Sequence, residues 1–156
     1  MTRWLVIAVA LLGGCALLKG ATFEKSKVPM GMSMIYVYAN DELGTGQAAY
    51  VDKTPETPDA DDKIILLENT YYPYLVPAGP VRVFTDAASG QPRCVAFVAQ
   101  EKASYYVRVR QRGDENRVEL LDAEMASPEI GKTNKLNKEA VGDSDATFPL
   151  DDCLPL

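Results

Sequence analysis

The sequence predicts an all-β fold: a single β-sandwich of about seven to eight mostly antiparallel strands, with a short C-terminal helix and an irregular tail. Three observations predict it. Beyond Met34 the apolar residues come in short runs rich in Val, Ile and Tyr, types that suit a pleated, half-buried surface. Clusters of Gly, Pro, Asp and Asn separate the runs at intervals of about 8–12 residues. One run alternates strictly, with Tyr105, Val107 and Val109 on one face and Tyr106, Arg108 and Arg110 on the other.

The elements follow in order. Ile35-Tyr36-Val37-Tyr38 reads as the first strand, residues 40–44 as a turn and 47–51 as the second strand. Residues 52–62 hold two Pro and five acids, the composition of a solvated loop. Residues 63–67 and 71–76 flank Glu68-Asn69-Thr70, a hairpin-like connection. Pro73 cannot donate to a ladder, so its strand is predicted to be an edge or to carry a bulge. Val76-Pro77-Ala78-Gly79-Pro80 turns the chain into a strand over 81–84. Residues 94–99 and 103–111 form the next pair, and Gly113-Asp114-Glu115-Asn116 turns into an eighth strand at 117–121. Residues 122–130 allow one short helix, which Pro128 limits unless it falls in the first turn. Residues 131–156 are polar and aperiodic. The sandwich is thus assigned to residues 33–125, and a helix with a polar tail to 126–156.

The first fourteen residues differ from all of this. Met1-Thr2-Arg3 is a minimal positive start, and Trp4 to Leu12 is apolar throughout, the layout of a cleaved export signal. The apolar stretch over residues 4–18 is shorter than the roughly 20 residues that span hydrocarbon, which disfavours a transmembrane anchor. Leu12-Gly13-Gly14-Cys15 resembles the lipobox of bacterial lipoproteins, in which Leu, two small residues and a Cys close the signal. The resemblance implies that Cys15 becomes the acylated first residue of the mature chain. Its thiolate is the nucleophile that takes the lipid. Ala16 in the following position is similar to the type sorted to the outer membrane. Residues 15–32 then read as a lipidated N-terminus and tether, with the membrane as a partner through acyl chains and the body on the periplasmic side.

The pattern Ile35-Tyr36-Val37-Tyr38, then Val76-Pro77-Ala78-Gly79-Pro80-Val81, then Ala103-Ser104-Tyr105-Tyr106-Val107-Arg108-Val109 resembles the DUF2846-type β-sandwich family of unknown function. The likeness covers residues 34–132. Two features depart from that plan: the Asp/Pro-rich stretch at 52–62 and the cysteine-bearing tail. The resemblance implies a fold and an envelope location and carries over no catalytic residue.

With Cys15 acylated, two cysteines remain. Cys94 and Cys153 then have one intramolecular partner each in an oxidising compartment, and a disulfide is predicted. Cys94 should face outward with Ala96 and Val98 while Val95 and Phe97 face the core. The tail residues Phe148, Leu150, Leu154 and Leu156 could then cover that outer face. The other reading is a buried free Cys94 and an unpaired thiol at Cys153.

Composition narrows the chemistry. Without residues 1–14, which carry Arg3 and no acid, 15 basic and 22 acidic side chains remain, a net charge of −7. Nucleic acid and anionic lipid headgroups both reward a basic surface, and neither is expected as a partner of so acidic a chain. The chain has no His, which removes the commonest general base and every Ser-His or Cys-His nucleophile. No enzyme activity, cofactor or metal is expected. The acidic cluster Asp59-Ala60-Asp61-Asp62 lacks the twelve-residue calcium-loop pattern, and Asp151-Asp152 reads as solvated. The remaining candidate is a surface of Tyr36, Tyr38, Tyr106, Arg108 and Arg110, since Tyr and Arg are enriched where partners bind. Tyr also fits a half-buried sheet without any binding role. The sequence therefore reads as an outer-membrane-anchored periplasmic module that engages an envelope protein or builds envelope structure. The alternative is a small glycan- or peptide-binding protein that uses the Tyr/Arg face.

Overall fold

A computed structural model describes residues 19–41, 43, 46–53, 62–85, 93–112, 115–137, 141–143 and 153–155. Two six-stranded, mostly antiparallel sheets form a sandwich with one short helix. The strands are β1 (Lys19–Thr22), β2 (Met32–Ala39), β3 (Gln47–Asp52), β4 (Asp62–Leu66), β5 (Thr70–Pro77) and β6 (Gly79–Thr85). They continue as β7 (Arg93–Ala99), β8 (Ser104–Arg112), β9 (Glu115–Leu121), β10 (Asn134–Leu136), β11 (Val141–Asp143) and β12 (Leu154–Pro155), with α1 (Ala123–Ile130) between β9 and β10. The first sheet has the order β1-β10-β5-β2-β8-β9 and the second β11-β4-β3-β6-β7-β12. The pairings β2 with β8, β10 with β5 and β12 with β7 are parallel.

Period-two alternation builds the core. Ile35 and Val37 of β2, Val51 of β3, Ile64 and Leu66 of β4, Val76 of β5, Val81 and Val83 of β6 and Val107 and Val109 of β8 meet between the sheets. Each of these ten side chains is buried, and each full burial contributes about 1.5–3 kcal/mol. Turn chemistry closes the strands. Asn69 takes a left-handed conformation (φ 55°), which a short polar side chain tolerates, where the chain crosses from β4 in the second sheet to β5 in the first; the expected hairpin is thus a step between sheets. Gly79 (φ 146°) makes the step from β5 in one sheet to β6 in the other.

Pro73 behaves as its chemistry requires. β10 partners Thr70 and Tyr71 and ends at Leu136, so among the described residues no strand pairs with β5 on that side at Pro73, which lacks an N–H. The helix is also where it was expected. Asp122 caps it, accepting a 2.8 Å hydrogen bond from Met125 N. Pro128 lies past the first turn, where it has no N–H to offer the carbonyl of Glu124, and α1 stops two residues later at Ile130, the short helix that was expected.

Two boundaries differ from the sequence reading. Residues 15–32 are not a plain tether: Lys19–Thr22 is a strand antiparallel to β10, and Phe23 N donates to Thr133 O at 3.0 Å. Nor is 126–156 only a helix and tail, because β10 inserts between β1 and β5 while β11 and β12 edge the second sheet. Three-residue and two-residue strands carry too little periodicity to be seen in a sequence; neighbouring strands recruit them.

Candidate functional site

Tyr36 and Tyr38 of β2, Tyr71 of β5 and Tyr106, Arg108 and Arg110 of β8 lie on the face of the first sheet turned away from the core. The parallel register sets Tyr36 beside Tyr106 and Tyr38 beside Arg108. The Tyr36 and Tyr106 rings stack with centroids 5.4 Å apart, and Phe23 meets Tyr36 and Tyr71 edge-on at 5.1 Å each. Ser26 N donates to the Tyr36 hydroxyl at 2.8 Å. Ala126 and Ile130 of α1, with Phe23 and Val28, complete an apolar cluster over these rings.

The expected open Tyr/Arg face is therefore corrected. Alternation gave the side of the sheet, but Tyr36, Tyr38 and Tyr106 are buried, at 0%, 0% and 3% exposure. The cause is that α1 and residues 23–28 fold over the face that period two alone would leave to solvent. A glycan or peptide has no access to those rings, and the alternative that relied on them loses its surface.

The two arginines are committed as well. Arg108 donates from Nη1 to Glu129 Oε1 at 2.6 Å, and from Nε and Nη2 to Glu119 Oε2 at 3.0 and 2.7 Å. Arg110 Nη2 reaches Glu119 Oε1 at 2.8 Å, and the Tyr38 hydroxyl donates to Glu129 Oε2 at 3.0 Å. Two cations face two anions. Burial opposes the charge on Glu119, but the hydrogen bonds and charges of Arg108 and Arg110 outweigh it and hold the carboxyl below its usual range. Burial likewise opposes the Arg108 charge, and Glu119 and Glu129 outweigh it and raise the group. Tyr38 is pushed up by burial first and by Glu129 second. Chemically the cluster fastens α1 to β8 and β9: Glu129 is on the helix, Glu119 on β9.

The outer face of the second sheet holds what sequence reasoning missed. Arg82 Nε and Nη2 donate to Asp52 Oδ2 at 3.1 and 2.6 Å, with side chains only 3% and 0% exposed. Phe84 lies 5.3 Å from the Arg82 guanidinium and stacks on Tyr50 at 5.3 Å. Asp52 read as the first residue of a loop. Continuing the alternation of Ala48 and Tyr50 by one step would have set it across from Arg82, its partner in the β3–β6 register.

Cys94 shares this face with Ala48, Tyr50 and Phe84, as its alternation with Val95 implies. It is bonded to Cys153 with 5.1 Å between the Cα atoms, and β12 continues from there alongside Val95 and Ala96. Phe148, Leu150 and Leu156 lie outside the described residues, as do Cys15 and the whole signal, Asp59, Asp61, Asp151 and Asp152. Asp62 is described and pairs with Lys53 at 2.6 Å. Among the described residues no three His, Cys, Asp or Glu side chains are grouped to hold a metal, and no helix is long and apolar enough to cross a membrane. The chain matches no protein-family model and no curated protein.

Proposed function

We propose that the protein is a lipoprotein of the bacterial envelope, acylated at Cys15, anchored in the outer membrane on its periplasmic side and acting as a non-enzymatic interaction or structural module. One observation carries this reading: Leu12-Gly13-Gly14-Cys15 follows a basic start and an unbroken apolar run. The fold gives it physical sense. β1 begins at Lys19, so the acyl chains would enter the protein four residues before its first strand. The segments that resemble the DUF2846-type family are spatial neighbours, since β2 lies between β5 and β8. A structural role also suits the state of the charged groups, because Glu119, Glu129 and Asp52 all accept hydrogen bonds from arginine. Labelled palmitate should enter the expressed protein, and Cys15→Ser should abolish labelling and membrane retention together. Labelling that survives the substitution would overturn the reading.

A further inference from the structure

One end of the sandwich is apolar where it meets solvent. β2 begins there at Met32, β5 ends at Pro77, β6 begins at Gly79, β7 ends at Ala99 and β8 begins at Ser104. Met30 is 76% exposed in the loop that enters β2. Leu75, 46% exposed, lies two residues from the end of β5, and Val98, 69% exposed, lies one residue from the end of β7. Leu75 is on the outer face of the first sheet and Val98 on that of the second, so the apolar side chains flank the tip on both sides. Pro77, Ala78 and Pro80 between them are exposed too. Lys102 and Glu101 are exposed in the loop between β7 and β8, and β3 ends at Asp52 and β4 begins at Asp62 toward the same end. Hydrogen bonds from Ala78 N to Gly31 O at 3.0 Å and from Lys102 N to Met32 O at 2.7 Å tie the three loops into one surface.

Strand direction connects this end to the anchor. β1 is antiparallel to β10, β10 is parallel to β5, and β5 is antiparallel to β2. β1 therefore runs in the same sense as β2 and enters its sheet from the end that carries Met30. Lys19 pairs with Leu136, one residue beyond the Lys135–Tyr71 pair and thus five residues above Pro77, about 17 Å along the strand. The four residues from Cys15 to Lys19 reach at most about 14 Å. An acylated Cys15 cannot hold the sandwich far from the bilayer.

We propose that the end formed by Met30, Leu75, Pro77, Pro80 and Val98 rests on the lipid surface into which the Cys15 acyl chains insert. The inference rests on the lipoprotein reading. Apolar side chains at the tip enter the boundary between headgroups and acyl chains. The bilayer thus becomes an orienting partner as well as an anchor.

The test uses the fact that Trp4, within the signal, is the protein's single tryptophan. Met30→Trp, Val98→Trp and, at the far end, Ile65→Trp each give the acylated mature chain one reporter at an exposed site. The proteins are reconstituted in phosphatidylethanolamine vesicles containing phosphatidylglycerol brominated on its acyl chains. Emission from Met30→Trp and Val98→Trp should fall about twofold, because a face in the interface reaches the acyl boundary, and Ile65→Trp should not change. Emission that falls equally, or not at all, at all three sites, in protein that floats with the vesicles, overturns the proposed surface and leaves the anchor standing. Protein that neither floats nor carries acyl mass on Cys15 overturns the lipoprotein reading, and the surface with it.

Discussion

The two outer faces of the sandwich solve the same problem by different means. Each carries stacked aromatic rings and an arginine paired to carboxylate. On the first sheet the arginines share two glutamates at the rim, with side chains 15–31% exposed, and the cover is a helix and an N-terminal segment held by packing. On the second, one aspartate and one arginine are almost wholly out of water, and the neighbouring Cys94 is fixed covalently to Cys153. A solvated network adjusts when one member is lost. A buried pair does not, because the remaining charge has been stripped of its hydration.

Breaking the buried pair should therefore produce the largest effect. Asp52→Ala withdraws the oxygen that accepts from both Arg82 Nε and Nη2, and should cost about 3–5 kcal/mol in denaturant unfolding. The double change Asp52→Ala with Arg82→Met, which removes the charge as well, should recover much of that loss. Equal losses in the single and double variants would show that the pair does not differ in kind from the rim network.

The covalent tie should rank second. Cys153→Ser is expected to leave the sandwich folded and to lower its stability by about 2–4 kcal/mol, since the bridge closes a loop of 59 residues in the unfolded chain. Mass spectrometry of unreduced protein with two alkylatable thiols would contradict the bridge. On the opposite face, Tyr38→Phe removes one hydrogen bond to Glu129 and should cost about 1 kcal/mol. Burial raises Tyr38, Tyr71 and Tyr106 above the ordinary 10.0. Their neutral forms are favoured in the folded state, so stability is intact below pH 10.0 and falls as the pH rises beyond it. Tyr38, Tyr71 and Tyr106 should form tyrosinate only as the protein unfolds; titration of all eight tyrosines near pH 10.0 in folded protein would contradict the burial of these three.

What was legible in the sequence follows the range of each interaction. Strands such as β8 announce themselves, because alternation of Tyr105, Val107 and Val109 with Tyr106, Arg108 and Arg110 is local. The sidedness of Cys94 was legible for the same reason, and its pairing followed from the small number of cysteines. Covering of the tyrosine face was not legible. Alternation distinguishes one face of a sheet from the other but carries no information on what packs over it. Phe23 and Val28 sit in a stretch with no period, and only tertiary contact with Tyr36 and Tyr71 gives them a place. Asp52 failed in the opposite way: its loop-like neighbours concealed a residue that belongs to β3.

The smallest expected effect is also the most discriminating, because it depends on pH. Glu119 joins Arg108 and Arg110, and its folded-state titration lies below the ordinary carboxylate value of 4.5. A depressed carboxyl contributes stability above the unfolded value and loses it as the pH falls through the folded one. Between those two points the unfolded chain takes up a proton that the folded chain refuses, so acid favours unfolding. Glu119→Gln removes the charge at every pH and should cost about 1 kcal/mol at neutral pH, the scale of a partly solvated pair. Because Glu119 of the parent protonates as the acid limb is crossed, the gap between parent and variant should narrow as the pH falls below 4.5. Salt should shrink the same gap at neutral pH, since these side chains are screened, and should leave the cost of Asp52→Ala nearly unchanged. A gap of constant size from neutral to acid would assign the effect of Glu119 to packing and hydrogen-bond geometry rather than to charge.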